Sequence, residues 1–219
     1  MIGITNNLRA WTTVALAVTL AAALIALAAL AGPAQAATRT VTKTFANPYP
    51  ILIPAGSPAT SMGPASPYPS EIEVSGLRRG RILDVNLVLK NYSHTYPFDL
   101  DLLLVSPTGQ NSIVMSDAGG PGPGVNGATL TLDDEASNLL PQITAPTSGS
   151  YRPWDYDSSD NFDFFPQPAP TPDSAWTLNP FDITNPNGTW KLYVYDQSSG
   201  DFGQFAGGWA LTIKAKVRR

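Results

Sequence analysis

The 219-residue sequence contains no cysteine and only one histidine, His94. Without cysteine no disulfide can form, so an exported chain of this kind must be held together by its core or by a bound ion. A serine-type catalytic triad needs an imidazole, and only His94 can supply one. A basic excess is also missing, because the formal net charge is −4. This balance argues against nucleic acid or anionic lipid as a partner.

The first 36 residues have the features of an export signal. Arg9 provides a short positive region, an apolar run covers residues 11–31, and Ala34-Gln35-Ala36 is a small-residue cleavage site. We expect cleavage after Ala36 and a secreted domain of residues 37–219. In the alternative, residues 11–31 stay attached as a membrane anchor, because their number approaches that needed to cross a bilayer. Residues 37–219 carry 12 basic and 17 acidic side chains, a net charge of −5.

Apolar and polar residues alternate with a period of two in four segments, 81–92, 99–106, 187–196 and 207–215. One apolar face per segment is typical of antiparallel strands that pack on a second sheet. Long Pro/Gly/Asp-rich connections separate the strands, and helical periodicity is absent from residues 37–219. The sequence therefore predicts one all-β domain, an antiparallel β-sandwich of jelly-roll type. The residues predicted to share an inward face are Leu83, Val85, Leu87 and Leu89, and Trp190 and Trp209 are predicted to be core.

Four spaced blocks carry a family resemblance. They are IEVSGLRRGRILDVNLVLKNYSHTYPFDLDLLLVSPTG (72–109), TLTLDDEA (129–136), SGSYRP (148–153) and NPNGTWKLYVYDQSSGDFGQFAGGWALTI (185–213). In this order they resemble the P domain (P/Homo B) of subtilisin-like proprotein convertases of the kexin and furin type, over about residues 40–216. The resemblance implies a jelly-roll β-sandwich that packs against a serine protease domain and stabilises it, with some dependence on calcium.

No stretch of this sequence resembles the protease domain that accompanies the family. We therefore expect a secreted, non-catalytic binding or accessory module. One alternative is a subunit that docks on a secreted subtilisin-like serine protease and stabilises it. Another is an adhesion or carbohydrate-binding module, with polysaccharide as the partner. His94 is expected to be structural, as it commonly is in the family, and no catalytic residue is assigned.

Calcium is the cofactor expected of the aspartate-rich loops, since 14 of the 17 acidic residues are aspartate. Calcium takes six to eight oxygen ligands, often carboxylates from loops. The candidate ligands are Asp133, Asp134, Asp196 and Asp201. Each also has a structural alternative, in which its carboxylate accepts backbone N–H groups of a turn. Asp99 and Asp101, which share a strand face, form a further candidate cluster, and for Asp99 a structural hydrogen bond to the following loop is favoured over a ligand role.

The segment 151–167 is the candidate partner surface, because it interleaves aromatic residues with aspartates. Trp154, Tyr156 and Phe164 are the candidate partner-binding residues, suited to a sugar ring or to an apolar patch of a protein. The favoured alternative is structural: the aromatic side chains fold down and close one end of the sandwich.

Overall fold

The computed structural model describes residues 37–55, 62–156 and 163–218, so the expected export signal lies outside the described residues. The described strands are β1 Thr38–Asn47, β2 Ile51–Ile53, β3 Gly63–Pro64, β4 Ser70–Val74, β5 Arg81–His94, β6 Leu100–Val105, β7 Asn111–Ser116, β8 Val125–Leu132, β9 Gly149–Tyr151, β10 Trp154–Asp155, β11 Gly188–Asp196, β12 Gly203–Phe205 and β13 Trp209–Arg218. Two short 3-10 turns, Pro97–Asp99 and Asn179–Phe181, are the only helical elements in these ranges.

The strands form two sheets, and the first is built around the long strand β5. In the first sheet β8 lies on one side of β5 and is followed by β9, while β13 and β12 lie on the other side and lead to β1 and β2. In the second sheet the order is β10-β7-β6-β11, and both β3 and β4 pair with the outer side of β11. The prediction of an all-β sandwich is confirmed. Two short pairs, β8 with β9 and β7 with β10, are parallel rather than antiparallel.

The core lies between the inner faces of the two sheets. Trp190 and Trp209 are completely buried there, as predicted, and each indole N–H donates a hydrogen bond, to Pro186 O and Ser70 Oγ respectively, over 2.9 Å. Burying side chains of this size stabilises a fold by about 1.5–3 kcal/mol each. The apolar core between the sheets thus holds the chain together without disulfides, since the chain has no cysteine.

A second apolar cluster lies on the outer face of the second sheet. It consists of Leu103, Val105, Ile113, Phe165, Ala169 and Tyr193, with Tyr68 and Tyr195 packed against it. The segment that follows residue 162 supplies Phe165 and Ala169, so this loop covers the sheet's outer face rather than one end of the sandwich. As a result, every residue of the central strand β6 is buried, including its one polar residue, Asp101.

The predicted face of β5 is wrong at one residue. A register shift opposite Lys214 and Ala215 leaves Leu83 without a partner on β13, and its side chain is 45% exposed. Ile82 takes the inward position instead and is buried. A bulge reverses the alternation at its own position, and sequence periodicity does not reveal where it falls. Among the described residues, no helix has the length and apolar character that crossing a membrane requires.

Candidate metal centre

A bulge in β7 determines which side chains meet at the candidate site. Leu102 and Leu103 of β6 face Met115 and Ile113, so Val114 is the extra residue on β7. The extra residue changes which face the following side chains occupy, and Ser116 consequently reaches Asp101 on the outer side of the sheet. Without the bulge the alternation would place Ser116 on the core side.

Further carboxylates reach the same place from neighbouring segments. Asp155 lies directly across from Ser116 in the parallel pair of β10 with β7. Asp117 follows β7 with a left-handed backbone (φ 51°), and Asp163 enters from the covering loop. One oxygen from each of Asp117, Asp155 and Asp163 lies within 4.8 Å of the others. We call these three residues, with Asp101 and Ser116, the acidic centre.

The hydroxyl of Ser116 touches three carboxylates at once. Its Oγ lies 2.7 Å from Asp101 Oδ1, 2.8 Å from Asp163 Oδ1 and 3.1 Å from Asp117 Oδ2. A hydroxyl carries one proton, so it donates to only one of the three. The other two contacts bring oxygen lone pairs together, and such an arrangement is favourable only when a proton or a cation lies between the groups.

The electrostatics of Asp101 agree with this geometry. Its carboxylate is fully buried and accepts hydrogen bonds from Ser116 Oγ and Gln197 Nε2. Burial raises its pKa well above the usual value, and the charges of Asp163 and Asp117 raise it further, while the two hydrogen bonds oppose the shift. The site therefore favours positive charge, supplied by a proton at low pH or by a metal ion.

The donor set fits calcium. All the ligand atoms on offer are hard oxygens, and calcium binds oxygen at about 2.3–2.6 Å. Two oxygens on one such ion are at most about 5 Å apart, which the 4.8 Å limit of Asp117, Asp155 and Asp163 satisfies. These three would bind the ion directly, and Asp101 would orient Ser116 and balance charge beneath them.

The four aspartates predicted as ligands lie elsewhere, in two separate places. Asp133 Oδ1 accepts the backbone N–H of Glu135 over 2.9 Å, and both oxygens of Asp134 accept that of Leu178 over 2.9–3.0 Å. These contacts match the structural alternative, while the ligand role remains a prediction.

The other two predicted ligands lie near the end of β11. Asp196 is buried, and its Oδ1 accepts the N–H of Ser198 over 3.1 Å. Asp201 accepts from the hydroxyl of Thr95 over 2.9 Å. Among the described residues, neither aspartate belongs to a group of three or more possible ligands whose atoms lie within 4.8 Å of one another.

His94 is buried beside Asp196. Its Nδ1 accepts the backbone N–H of Tyr96 over 3.2 Å, so that nitrogen carries no proton and the ring is neutral with its proton on Nε2. Nε2 lies 3.4 Å from Asp196 Oδ2, an electrostatic contact without hydrogen-bond alignment. One ring nitrogen is thus engaged by the backbone and the other faces a buried carboxylate, while the structural role of His94 remains a prediction.

The three aromatic candidates differ in exposure. Tyr156 packs against the core and donates its hydroxyl to Leu140 O over 2.5 Å. Trp154 is half-buried, with its ring 6.3 Å from those of Tyr156 and Trp176. Phe164 is 61% exposed and meets Tyr195 edge-on, with ring centres 6.1 Å apart. Phe164 is thus the one of these three that offers its ring to solvent.

Sequence reasoning missed the acidic centre because its residues are spread over positions 101–163. One local signal was present: Asp101 interrupts an otherwise leucine-rich strand, and Ser116-Asp117 ends the next one. The bulge at Val114 and the parallel pairing of β10, which bring these residues together, leave no mark in the periodicity.

Comparisons with known proteins give distant structural likenesses only. No protein-family model and no curated protein matches the chain. Among solved structures it is similar to a serine protease of Aeromonas sobria, at 16% identity and a TM-score of 0.36, over 86% of this chain and 28% of that chain. It is also similar to the Aeromonas sobria serine protease in complex with its chaperone, at 14% identity and a TM-score of 0.33, over 89% and 29%. The chain spans less than a third of the length of these proteins.

Proposed function

We propose that this chain is an exported, non-catalytic β-sandwich module that calcium stabilises and that supports a partner protein. The observation that carries the calcium part is the contact of one hydroxyl, that of Ser116, with three carboxylates. Calcium would offset the repulsion among these groups and tie β6, β7, β10 and the covering loop together. An ion that binds only the folded state raises stability by mass action, by about 2.7 kcal/mol at a hundredfold excess over its Kd.

The non-catalytic part is supported by the surroundings of His94. A general base must reach the proton that it removes. In His94 the ring is buried, its Nδ1 accepts a backbone N–H, and its Nε2 faces Asp196. Incubation of the purified protein with casein should give no cleavage. Turnover that disappears in His94→Gln would overturn this part of the proposal.

A calorimetric comparison tests the calcium site. We expect the melting temperature of the full chain to rise by about 5–11 °C from EDTA to saturating calcium, since 1 kcal/mol shifts a domain of this size by about 2–4 °C. The variant Asp117→Asn/Asp163→Asn should lose this response. The matched variant Asp133→Asn/Asp201→Asn, which removes the same charge from two sequence-predicted ligands, should keep it.

The result separates the two sets of candidate ligands. Loss of the calcium response in Asp133→Asn/Asp201→Asn alone would move the site to the sequence-predicted ligands. Superimposed scans of the unmodified protein in EDTA and calcium would remove calcium from the proposal altogether.

The partner that we propose is a secreted subtilisin-like serine protease, as the motif resemblance implies, and the exposed ring of Phe164 is the contact we assign to it. Solvent-exposed aromatic side chains are common anchor residues of protein interfaces. Adding the chain to a purified secreted protease of this type from the same source should raise the melting temperature of the protease. Phe164→Ser should weaken the effect at least tenfold in the concentration required, whereas Leu83→Ser, on the other sheet, should not.

A further inference from the structure

Basic residues concentrate at one corner of the first sheet. Seven of the 13 basic residues of the chain lie in three segments, at residues 39, 78–81 and 214–218. β13 joins the segments, because it pairs with β1 on one side and with β5 on the other. Four basic side chains, with Thr38, line a surface depression of about 540 Å³: Arg79, Arg81, Lys216 and Arg218. We call these five residues the basic corner.

The register of the strands creates this corner. Lys216 lies directly across from Arg81 on β5 and from Thr40 on β1, while Arg218 lies across from Thr38. A tight turn, closed by the Gly80 N–H to Leu77 O bond of 2.9 Å, then carries Arg79 to the same end of the sheet with a left-handed backbone (φ 44°).

The side chains of the basic corner are exposed and lack acidic partners. In the described ranges the only ion-pair contacts are Lys191 with Glu71 and His94 with Asp196, so no described carboxylate lies within 4.0 Å of the four cations. Like charges directly opposite each other, as Lys216 and Arg81 are, destabilise a sheet. An external anion would relieve this repulsion.

The connection to the N-terminal sequence argues for the kind of anion. β1 begins at Thr38, inside the basic corner, and only residues 32–37 separate it from the apolar run 11–31. Six residues span at most about 21 Å when fully extended. Whenever residues 11–31 are inserted in a membrane, the basic corner is therefore held within reach of the lipid headgroups.

We propose that the basic corner docks the domain on anionic phospholipid headgroups while residues 11–31 remain attached. An open, exposed patch matches a surface of many phosphates better than one enclosed small anion. Exposed threonine hydroxyls on the same face of β1, at positions 38, 40 and 42, add hydrogen-bond donors for phosphate oxygens. The rest of the domain carries a net negative charge, which favours an orientation with the basic corner toward such a membrane. The whole-chain charge, which argues against lipid, conceals this local concentration.

The absence of cysteine allows a site-specific test. The full chain carrying Thr40→Cys, labelled with a fluorophore, is reconstituted in nanodiscs that contain a nitroxide-headgroup lipid as quencher. One set of discs is phosphatidylcholine alone, and the other contains about 30% phosphatidylglycerol. A second label at Phe164→Cys, on the outer face of the other sheet, is the positional control.

We expect strong quenching of the Thr40→Cys label in anionic discs, weak quenching in neutral discs, and no such difference for the Phe164→Cys label. Each basic side chain near an anionic surface strengthens binding about fivefold, so Arg81→Gln/Lys216→Gln/Arg218→Gln should lower the docked-to-undocked ratio about a hundredfold. A matched variant with the same charge change, Lys90→Gln/Arg152→Gln/Lys191→Gln, should dock as the unmodified chain does. About 0.5 M NaCl should abolish docking by screening.

Equal quenching in neutral and anionic discs would overturn the proposal, as would equal loss of docking in both triple variants. A further measurement adds inorganic phosphate at about 10 mM. If phosphate abolishes the quenching of the Thr40→Cys label while NaCl of the same ionic strength does not, the basic corner is a site for soluble phosphate and the membrane proposal is wrong. The variant Arg81→Gln/Lys216→Gln/Arg218→Gln should melt no lower than the unmodified chain, because it removes the repulsion between Arg81 and Lys216. The control variant should melt only slightly lower, because the ion pair that it removes, Lys191 with Glu71, is an exposed one.

Discussion

Replacing His94 by phenylalanine tests how much the fold depends on the contact between the neutral imidazole and the buried carboxylate of Asp196. Both side chains are fully buried, and the imidazole Nε2 is the group that faces Asp196 Oδ2, at 3.4 Å. His94→Phe places a slightly larger ring in the imidazole's space and leaves the carboxylate facing an apolar group. The other oxygen of Asp196 keeps its bond from the Ser198 N–H.

The expected cost of His94→Phe is about 2–3 kcal/mol. This is the lower part of the range for breaking a buried charged contact, chosen because the imidazole is neutral and the contact is long. For a domain of this size it corresponds to a melting temperature lower by about 4–12 °C. Asp196→Asn in the same chain removes the stranded charge and keeps an oxygen for the Ser198 N–H. The double variant should therefore be more stable than His94→Phe alone, by about 1 kcal/mol.

Urea unfolding at pH 7.5, followed by the fluorescence of the buried Trp190 and Trp209, measures these differences. Lys191→Gln is the matched control, because it removes one partner of an exposed pair, 3.9 Å from Glu71, and should cost at most about 0.5 kcal/mol. The reasoning is refuted if the double variant is no more stable than His94→Phe. In that case lost packing, and not the buried charge, sets the cost.

Two further predictions concern pH and the backbone. Burial and the charges of Asp196 and Asp201 raise the pKa of Asp99 from 3.8 to about 6, so the folded state binds this proton more tightly than the unfolded state does and loses stability as the pH rises from about 4 to about 6. Asp99→Asn should remove this loss of stability, which is about 1 kcal/mol after allowance for solvent screening. Urea unfolding of both proteins at pH 4 and at pH 7 measures it. If the free energy of unfolding changes between the two pH values by the same amount in both proteins, Asp99 is not the group responsible. Gly208→Ala would place a Cβ 2.0 Å from Asn47 O at a φ of 65° and should cost more than about 2 kcal/mol by thermal unfolding, whereas Gly200→Ala, with open space around it, should cost clearly less.

The elements that sequence predicted well are those with a long, regular period. Trp190 and Trp209 lie on strands whose apolar residues alternate without interruption, and both are core residues. The period fails at Leu83 and at Val114, where one extra residue on a strand changes the face. Whether a strand carries such a residue depends on its partner strand, which the local pattern does not identify.

The candidate sites depend even more on distant pairing. The acidic centre unites Asp101 with Asp163, and the basic corner unites Arg81 with Lys216, from segments far apart in the chain. The last strand by itself shows only that Lys214 and Lys216 alternate with buried residues and are exposed. The arginines that complete the basic corner come from β5 and from the preceding turn, which the pairing of β13 with β5 brings next to Lys216.

The two sites lie on opposite outer faces of the sandwich, and this arrangement bears on how the proposed roles combine. The basic corner belongs to the first sheet, whereas the acidic centre and Phe164 belong to the outer face of the second sheet. A membrane that attracts the first face repels the second, because the carboxylates of the acidic centre are negative. Docking through Arg81 and Lys216 would thus present Phe164 away from the lipid, where a partner protein can reach it. Calcium at the acidic centre would then order the partner-facing loop without competing with lipid for the same side chains.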